Sequence, residues 1–236
     1  HGLTIDYGPY GWLEDFDPEW TPNTTDIGRK RYRFGHQAQI GAWNYARLLD
    51  SISPLMNETE KLYEALEFYY KAYDKYNNKM WADKLGFENF ESSDEELIVE
   101  LTTILQMVET DMTIFFRLLS SIKEPNIDLL KYAFYREDNI PENEWNNWLE
   151  KWWSRVNGKP NQVRMKNSNP KYVLRNWMAQ LAIDAAEKED YSIAKELYEI
   201  LKMPYDEQPK FEKKWFQKRP EWARNRIGCS MLSCSS

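Results

Sequence analysis

Between residues 42 and 205, apolar side chains recur at helical spacing, and the chain reads as a succession of amphipathic helices. Trp43, Ala46, Arg47 and Leu48 begin the first, which stops before Pro54. Leu62, Leu66, Tyr69, Tyr70, Tyr73 and Met80 then form one apolar face. Ser93 and Glu96 stand at the spacing of a capping box and open a helix carrying Leu97, Leu101, Ile104, Leu105, Val108 and Phe115. Trp145, Trp148, Leu149, Trp152, Trp153 and Val156 repeat the pattern. Val173, Leu174, Trp177, Met178, Leu181 and Ala185 line a further helix. Ile193, Ala194, Leu197, Ile200 and Leu201 line the last strong one, ended by Pro204.

The two ends differ from this middle. Residues 1–41 hold Gly8, Gly11, Gly28, Gly35 and Gly41 with Pro9, Pro18 and Pro22, which predicts a long loop. Leu3-Thr4-Ile5 is short and β-prone, a candidate last strand before that loop. From Asp206 the chain is polar, Pro-containing and expected to be mostly irregular. The predicted organisation is therefore mainly α: a loop over 1–41, a helical body over 42–205 and a tail over 206–236.

Composition narrows the function classes. With 236 residues, 42% hydrophobic and 29% charged, the chain is globular and long enough for a sizeable core, which its 11 Trp and 10 Phe make bulky. A net charge of −7 argues against a general nucleic-acid or anionic-membrane binder. No apolar run approaches the roughly 20 residues that span a bilayer, and no secretory signal is visible. The only cysteines are Cys229 and Cys234, and the only histidines His1 and His36. A disulfide scaffold is thereby excluded, a Cys/His zinc site is disfavoured and no haem is expected. His36 is read as a hydrogen-bonded loop residue rather than a base. No Lys or Arg lies between Lys84 and Arg117, which reads as a solvated acidic face. The basic residues from Lys210 to Arg226 alternate with Phe211, Trp215, Phe216 and Trp222, which reads as a tail packing its aromatics on the body.

Candidate chemistry begins at Asp6-Tyr7-Gly8. An Asp-x-Gly after a β-prone run can present a carboxylate to a divalent cation, the glycine letting the backbone turn away behind it. Alone, the tripeptide is equally ordinary turn chemistry. The longer run Gly2-Leu3-Thr4-Ile5-Asp6-Tyr7-Gly8-Pro9-Tyr10-Gly11-Trp12-Leu13-Glu14-Asp15-Phe16-Asp17-Pro18 resembles the selenoprotein O family, which carries a similar G-L-T-I-D-Y-G-P-F-G-F-L-D-x-F-D-P segment. The resemblance continues at Thr21–Asp26, Gly28–Phe34, Gly41–Asn44, Asp111–Thr113, Phe115–Arg117, Asn169–Asn176, Pro204–Pro209 and Ser233–Ser236. Between about 120 and 165 no motif matches.

The resemblance implies a protein-kinase-like fold, of which this chain would supply the helical C-lobe and a family-specific extension, with the N-lobe absent. It implies transfer of AMP from ATP, with Mg²⁺ or Mn²⁺, to Ser, Thr or Tyr hydroxyls of protein substrates. Asp6 is then the metal ligand, and residues 9–41 resemble an activation segment. The family's catalytic loop and the lysine and arginines that grip the triphosphate belong upstream of Asp6, so this chain alone is expected to be inactive. Cys234 matches the position where some members carry selenocysteine, which makes Cys234, with Cys229, the redox candidate; a local disulfide and two ordinary free thiols both stay open. The Thr-Pro-Asn-Thr-Thr-Asp form of the loop resembles organellar members, which implies a mitochondrial or other organellar location; otherwise the expectation is cytoplasmic. The competing reading is a non-catalytic helical scaffold: a kinase-like C-lobe whose partner covers the surface of the missing N-lobe.

Overall fold

The structure, a computed structural model, describes residues 11–21, 28 and 30–229. Among these the chain is mainly helical, with isolated bridges and no sheet. The order is α1 (Gln37–Ile52), α2 (Glu60–Leu85), α3 (Asp94–Met107), α4 (Met112–Leu119), α5 (Glu142–Arg155), α6 (Gln162–Ser168), α7 (Asn176–Ala186), α8 (Ser192–Leu201) and α9 (Pro209–Trp215). Short 3₁₀ turns at Phe34–His36, Ser53–Leu55, Ile127–Ala133 and Glu221–Ala223 join or flank them. The mainly α expectation holds; the Leu3-Thr4-Ile5 strand lies outside the described residues.

The larger core is built by α3, α4 and α5 with the end of α2. Trp145, Trp148, Leu149 and Trp152 fall on one face of α5 at i, i+3, i+4 and i+7, and all are buried. A buried indole usually finds a partner for its N–H, although that of Trp145 has none. Trp152 donates to the carbonyl of Leu85 at 2.9 Å and Trp148 to that of Leu97 at 2.9 Å. Leu85 closes α2, so its carbonyl is one of those a helix end leaves unpaired. The next residue, Gly86, takes φ +74°, and a Cβ there would lie 2.7 Å from the Met165 sulfur. This left-handed glycine ends α2 and lets α6 approach it.

A second core gathers Tyr172, Trp177, Met178, Leu197, Ile200 and Trp215. The Trp177 and Trp215 rings stack at 5.8 Å. Phe216 packs against both cores and joins them.

Several local expectations give way. The single helix expected from Ser93 through Phe115 is two, because Val108 is extended and Phe115 lies on α4, and α1 starts at Gln37, inside the stretch expected to be loop. Ser93 makes no capping hydrogen bond because its backbone is helical, whereas a side-chain cap needs an extended residue. Buried Asp94 holds that corner instead: its Oδ2 accepts the Glu91 amide at 2.8 Å, and Arg155 grips both its oxygens at 2.6 and 3.0 Å. Val173 and Leu174 precede α7 rather than lining it. Residues 209–215 form a helix and bury Trp215, so the tail is more ordered than its composition suggests. Finally, the apolar face of α2 is only partly covered. At about 1.5 Å per residue its 26 residues run some 39 Å. Only Ala82 and Leu85 are buried, while on the expected apolar face Tyr70 is 52%, Tyr73 42% and Met80 44% exposed. The far end of α2 packs on α1, where Gly41 makes room for the Tyr69 hydroxyl, which donates to the Ala38 carbonyl at 3.1 Å.

Candidate functional site

Asp6, the expected metal ligand, and Cys234 lie outside the described residues. What the structure describes is how the chain from Gly11 onward is fastened. Gly11–Asp17 lies across the start of α4, pairing by an antiparallel bridge between Asp15 and Asp111. The Met112 amide donates to the Glu14 carbonyl at 2.8 Å, and the Trp12 amide to Asn176 Oδ1 at 3.2 Å. Further on, the Phe34 amide donates to the Trp20 carbonyl and the Gly35 amide to that of Pro18, which closes the loop onto the start of α1.

Asp111 is the centre of this fastening. It is completely buried and caps α4, its Oδ1 accepting the Ile114 amide at 3.0 Å. Arg175, 4% exposed, donates from both terminal nitrogens to the two Asp111 oxygens, at 2.9 Å for Nη2 to Oδ1. Tyr135 donates to Asp111 Oδ2 at 3.4 Å. This is a two-pronged, charge-assisted pair in a low-dielectric interior.

Glu14 is the less well served partner. It is 5% exposed, and neither carboxylate oxygen has a hydrogen bond. Arg219 Nη1 stands 3.2 Å from one oxygen and Arg175 Nη1 3.9 Å from the other. Burial pushes its carboxyl up to about 7, against the pull of Arg175 and Arg219. Burial likewise raises Asp15. Arg219 and Arg224 share Glu109 at 2.6 and 3.0 Å.

Cys229 is buried in the second core, and burial pushes its thiol up, which lowers its thiolate fraction. Its carbonyl accepts Asn176 Nδ2 at 3.1 Å, so Asn176 bridges Cys229 and Trp12. His36 ends the 3₁₀ turn before α1, and its Nδ1 has no hydrogen-bond partner, contrary to expectation.

A second ionic cluster fastens the Pro204–Pro209 turn. Glu207 receives Arg117 at 2.6 Å, Lys166 at 3.2 Å and Lys171 at 2.9 Å. Burial works against its charge, but hydrogen bonds from Lys171 and Lys166 and the Arg117 charge bring its carboxyl down to about 2. Lys171 also reaches Glu212 at 2.9 Å. Neighbouring Lys84 donates to Asn169 Oδ1 at 2.8 Å and lies over the Phe116 ring; burial lowers its amine to about 8.

The stretches 11–18, 111–117, 169–176 and 204–209 are far apart in sequence, yet the two clusters join them. They are also the stretches that carry the family resemblance. The family model for protein adenylyltransferase SelO matches residues 1–202. The chain belongs to the SelO family. That match includes the 120–165 region, where no motif is legible. The chain is 51% identical over 249 residues to the protein nucleotidyltransferase YdiU of Flavobacterium johnsoniae, all of this chain aligning with 48% of that protein. It is 49% identical to the YdiU protein of Aromatoleum aromaticum and 48% identical to that of Rhodopirellula baltica, with 46% and 48% of those proteins covered. The chain thus spans about half the length of the curated relatives it matches. These relatives are bacterial and give no support to the organellar expectation. Among the described residues no helix is long and apolar enough to cross a membrane, and no group of three or more His, Cys, Asp or Glu stands ready for a metal.

Asp111, Arg175 and Asn176 fall in quoted motifs, but their pairing was not foreseen. Glu14 and Glu207 also lie in those motifs; two adjacent carboxylates within Trp12-Leu13-Glu14-Asp15-Phe16 are a faint signal that one of them is buried.

Proposed function

We propose that this chain is part of a SelO-type protein adenylyltransferase that moves AMP from ATP to a Ser, Thr or Tyr hydroxyl of a protein substrate. The observation that carries the reading is the convergence of four motif stretches on two ionic clusters, one buried and one partly exposed, that fasten the Gly11–Asp17 segment and the Pro204–Pro209 turn. In the reaction the hydroxyl oxygen bonds to the α-phosphorus, the bond from that phosphorus to the bridging oxygen breaks, and pyrophosphate leaves. The hydroxyl proton goes to a base outside this chain. A divalent ion, Mg²⁺ or Mn²⁺, supplies charge neutralisation on the phosphates when bound, and a carboxylate such as Asp6 is the hard oxygen donor it takes. Arg175, Asp111 and Asn176 fix the Gly11–Asp17 backbone, downstream of Asp6 in the sequence. Cys234, with Cys229, is the proposed redox candidate of the same chain, although burial of Cys229 lowers its thiolate fraction.

The catalytic loop and phosphate clamp belong to the other half of the full-length protein in this reading, so the described half alone does not transfer AMP. The test is incubation of each form with ATP labelled at the α-phosphate and, in parallel, at the γ-phosphate, with Mg²⁺ or Mn²⁺ and a protein acceptor. Label on protein with the full-length form only is expected. Transfer from the γ-phosphate would overturn the AMP reading, and transfer by this chain alone would overturn its inactivity.

The exposed aromatics of α1 and α2 favour a second reading, a scaffold whose helical hairpin is covered by a partner. A stable co-purifying protein with no AMP transfer by any form would favour it.

A further inference from the structure

Glu14 stands out among the buried charges. Asp111 and Asp94 each receive two guanidinium hydrogen bonds, whereas both Glu14 oxygens are buried with none. The segment around it is held by the Trp12 and Met112 amides, the Asp15 bridge and Phe16, which packs on the larger core and edge-on to Phe34. We infer that Glu14 is the positioning residue through which the Gly11–Asp17 segment is released from the helical body. The functional side of this inference rests on the proposed role of Asp6.

The physical argument is one of linkage. Undocked, Glu14 faces water and ionises near the ordinary 4.5; docked, burial holds it at about 7. Arg175 and Arg219 attract its charge, but Asp111 and Asp15 repel it, and Arg219 is already shared with Glu109. The docked segment therefore binds the proton more tightly than the undocked one. Docking is strongest below the ordinary carboxyl range and weakens as pH rises towards 7. Above 7 both states are charged, and the weakening levels off.

Hydrogen exchange in this chain tests it without any catalytic readout. Protection factors of the Trp12 and Met112 amides, corrected for intrinsic rates, should fall on the order of a hundredfold between pH 5 and pH 8. Amides within α5 serve as the control and should not follow. E14Q, an uncharged isostere, should keep both amides protected at pH 8 and remove most of the fall; Asp15 retains a smaller slope. E14D should restore the pH dependence. A flat wild-type profile, or a wild-type-like fall in E14Q, overturns the inference, as does equal loss of protection in both variants at every pH. The wild-type profile decides even if a variant fails to fold. The pH-dependent release, seen together with a full-length protein that transfers no AMP, would overturn the proposed function and leave this inference standing.

Discussion

Arg175 and Asp111, 64 residues apart in sequence, meet in the interior with both guanidinium ends on both carboxylate oxygens. Neither is exposed to solvent to any useful degree, so the pair is isolated from screening by salt. Removing one member leaves the other charged and buried. Asp111→Asn should lower stability by about 3–5 kcal/mol, the usual loss when a buried pair is broken. Urea denaturation checks this; a loss below about 1 kcal/mol would show that the pair is worth no more than a surface bridge.

Trp152→Phe keeps most of the apolar volume but removes the N–H that serves the Leu85 carbonyl. That carbonyl then sits unpaired in the core, and about 1–3 kcal/mol should be lost. The matched change Trp153→Phe, at a half-buried position on the same helix, should cost clearly less. Equal losses would mean that ring volume rather than the hydrogen bond decides.

Gly86→Ala combines a left-handed backbone with a clash at Met165. The loss should exceed about 1 kcal/mol, since strain and overpacking act together. A thermal melt reads it, and the double variant with Met165→Ala should recover the clash component but not the backbone component.

Glu207 gives the acid limb of the stability profile. Its carboxyl is held at about 2 in the folded chain, below its ordinary value of 4.5. Its stabilisation is therefore present above about 4.5 and is lost as pH falls towards 2. Glu207→Gln should flatten that part of the profile. The side chain is 52% exposed, so the effect should shrink in high salt. Urea midpoints at pH 6 and pH 3, with and without salt, are the measurement. An unchanged acid limb in the variant would dismiss the cluster as a source of stability.

The helices were legible because helix formation is local. Trp145, Trp148, Leu149 and Trp152 announce their face by spacing alone, and the structure buries all four. The same rule misjudges α2, because periodicity reports which side of a helix is apolar and not whether a neighbour reaches it. Ser93 misleads for a related reason: the capping box is a matter of backbone angles that the letters do not carry. The candidate site was legible only as separate motifs. Nothing in the letters near Asp111 says that its partner is Arg175, since charge pairing across 64 residues is set by the packing of α4 against the start of α7. Glu14 was opaque for the same reason. A carboxylate among apolar neighbours reads as an exposed loop residue until the fold closes over it.

The Asn176 side chain faces two ways, its oxygen to the Trp12 amide and its nitrogen to the Cys229 carbonyl. One planar amide thus acts as a crosspiece between two segments. If either segment lifts away, the amide is free to rotate and the other loses its alignment. The two segments should accordingly loosen as one cooperative unit, and a probe placed beside Cys229 would register events at Trp12.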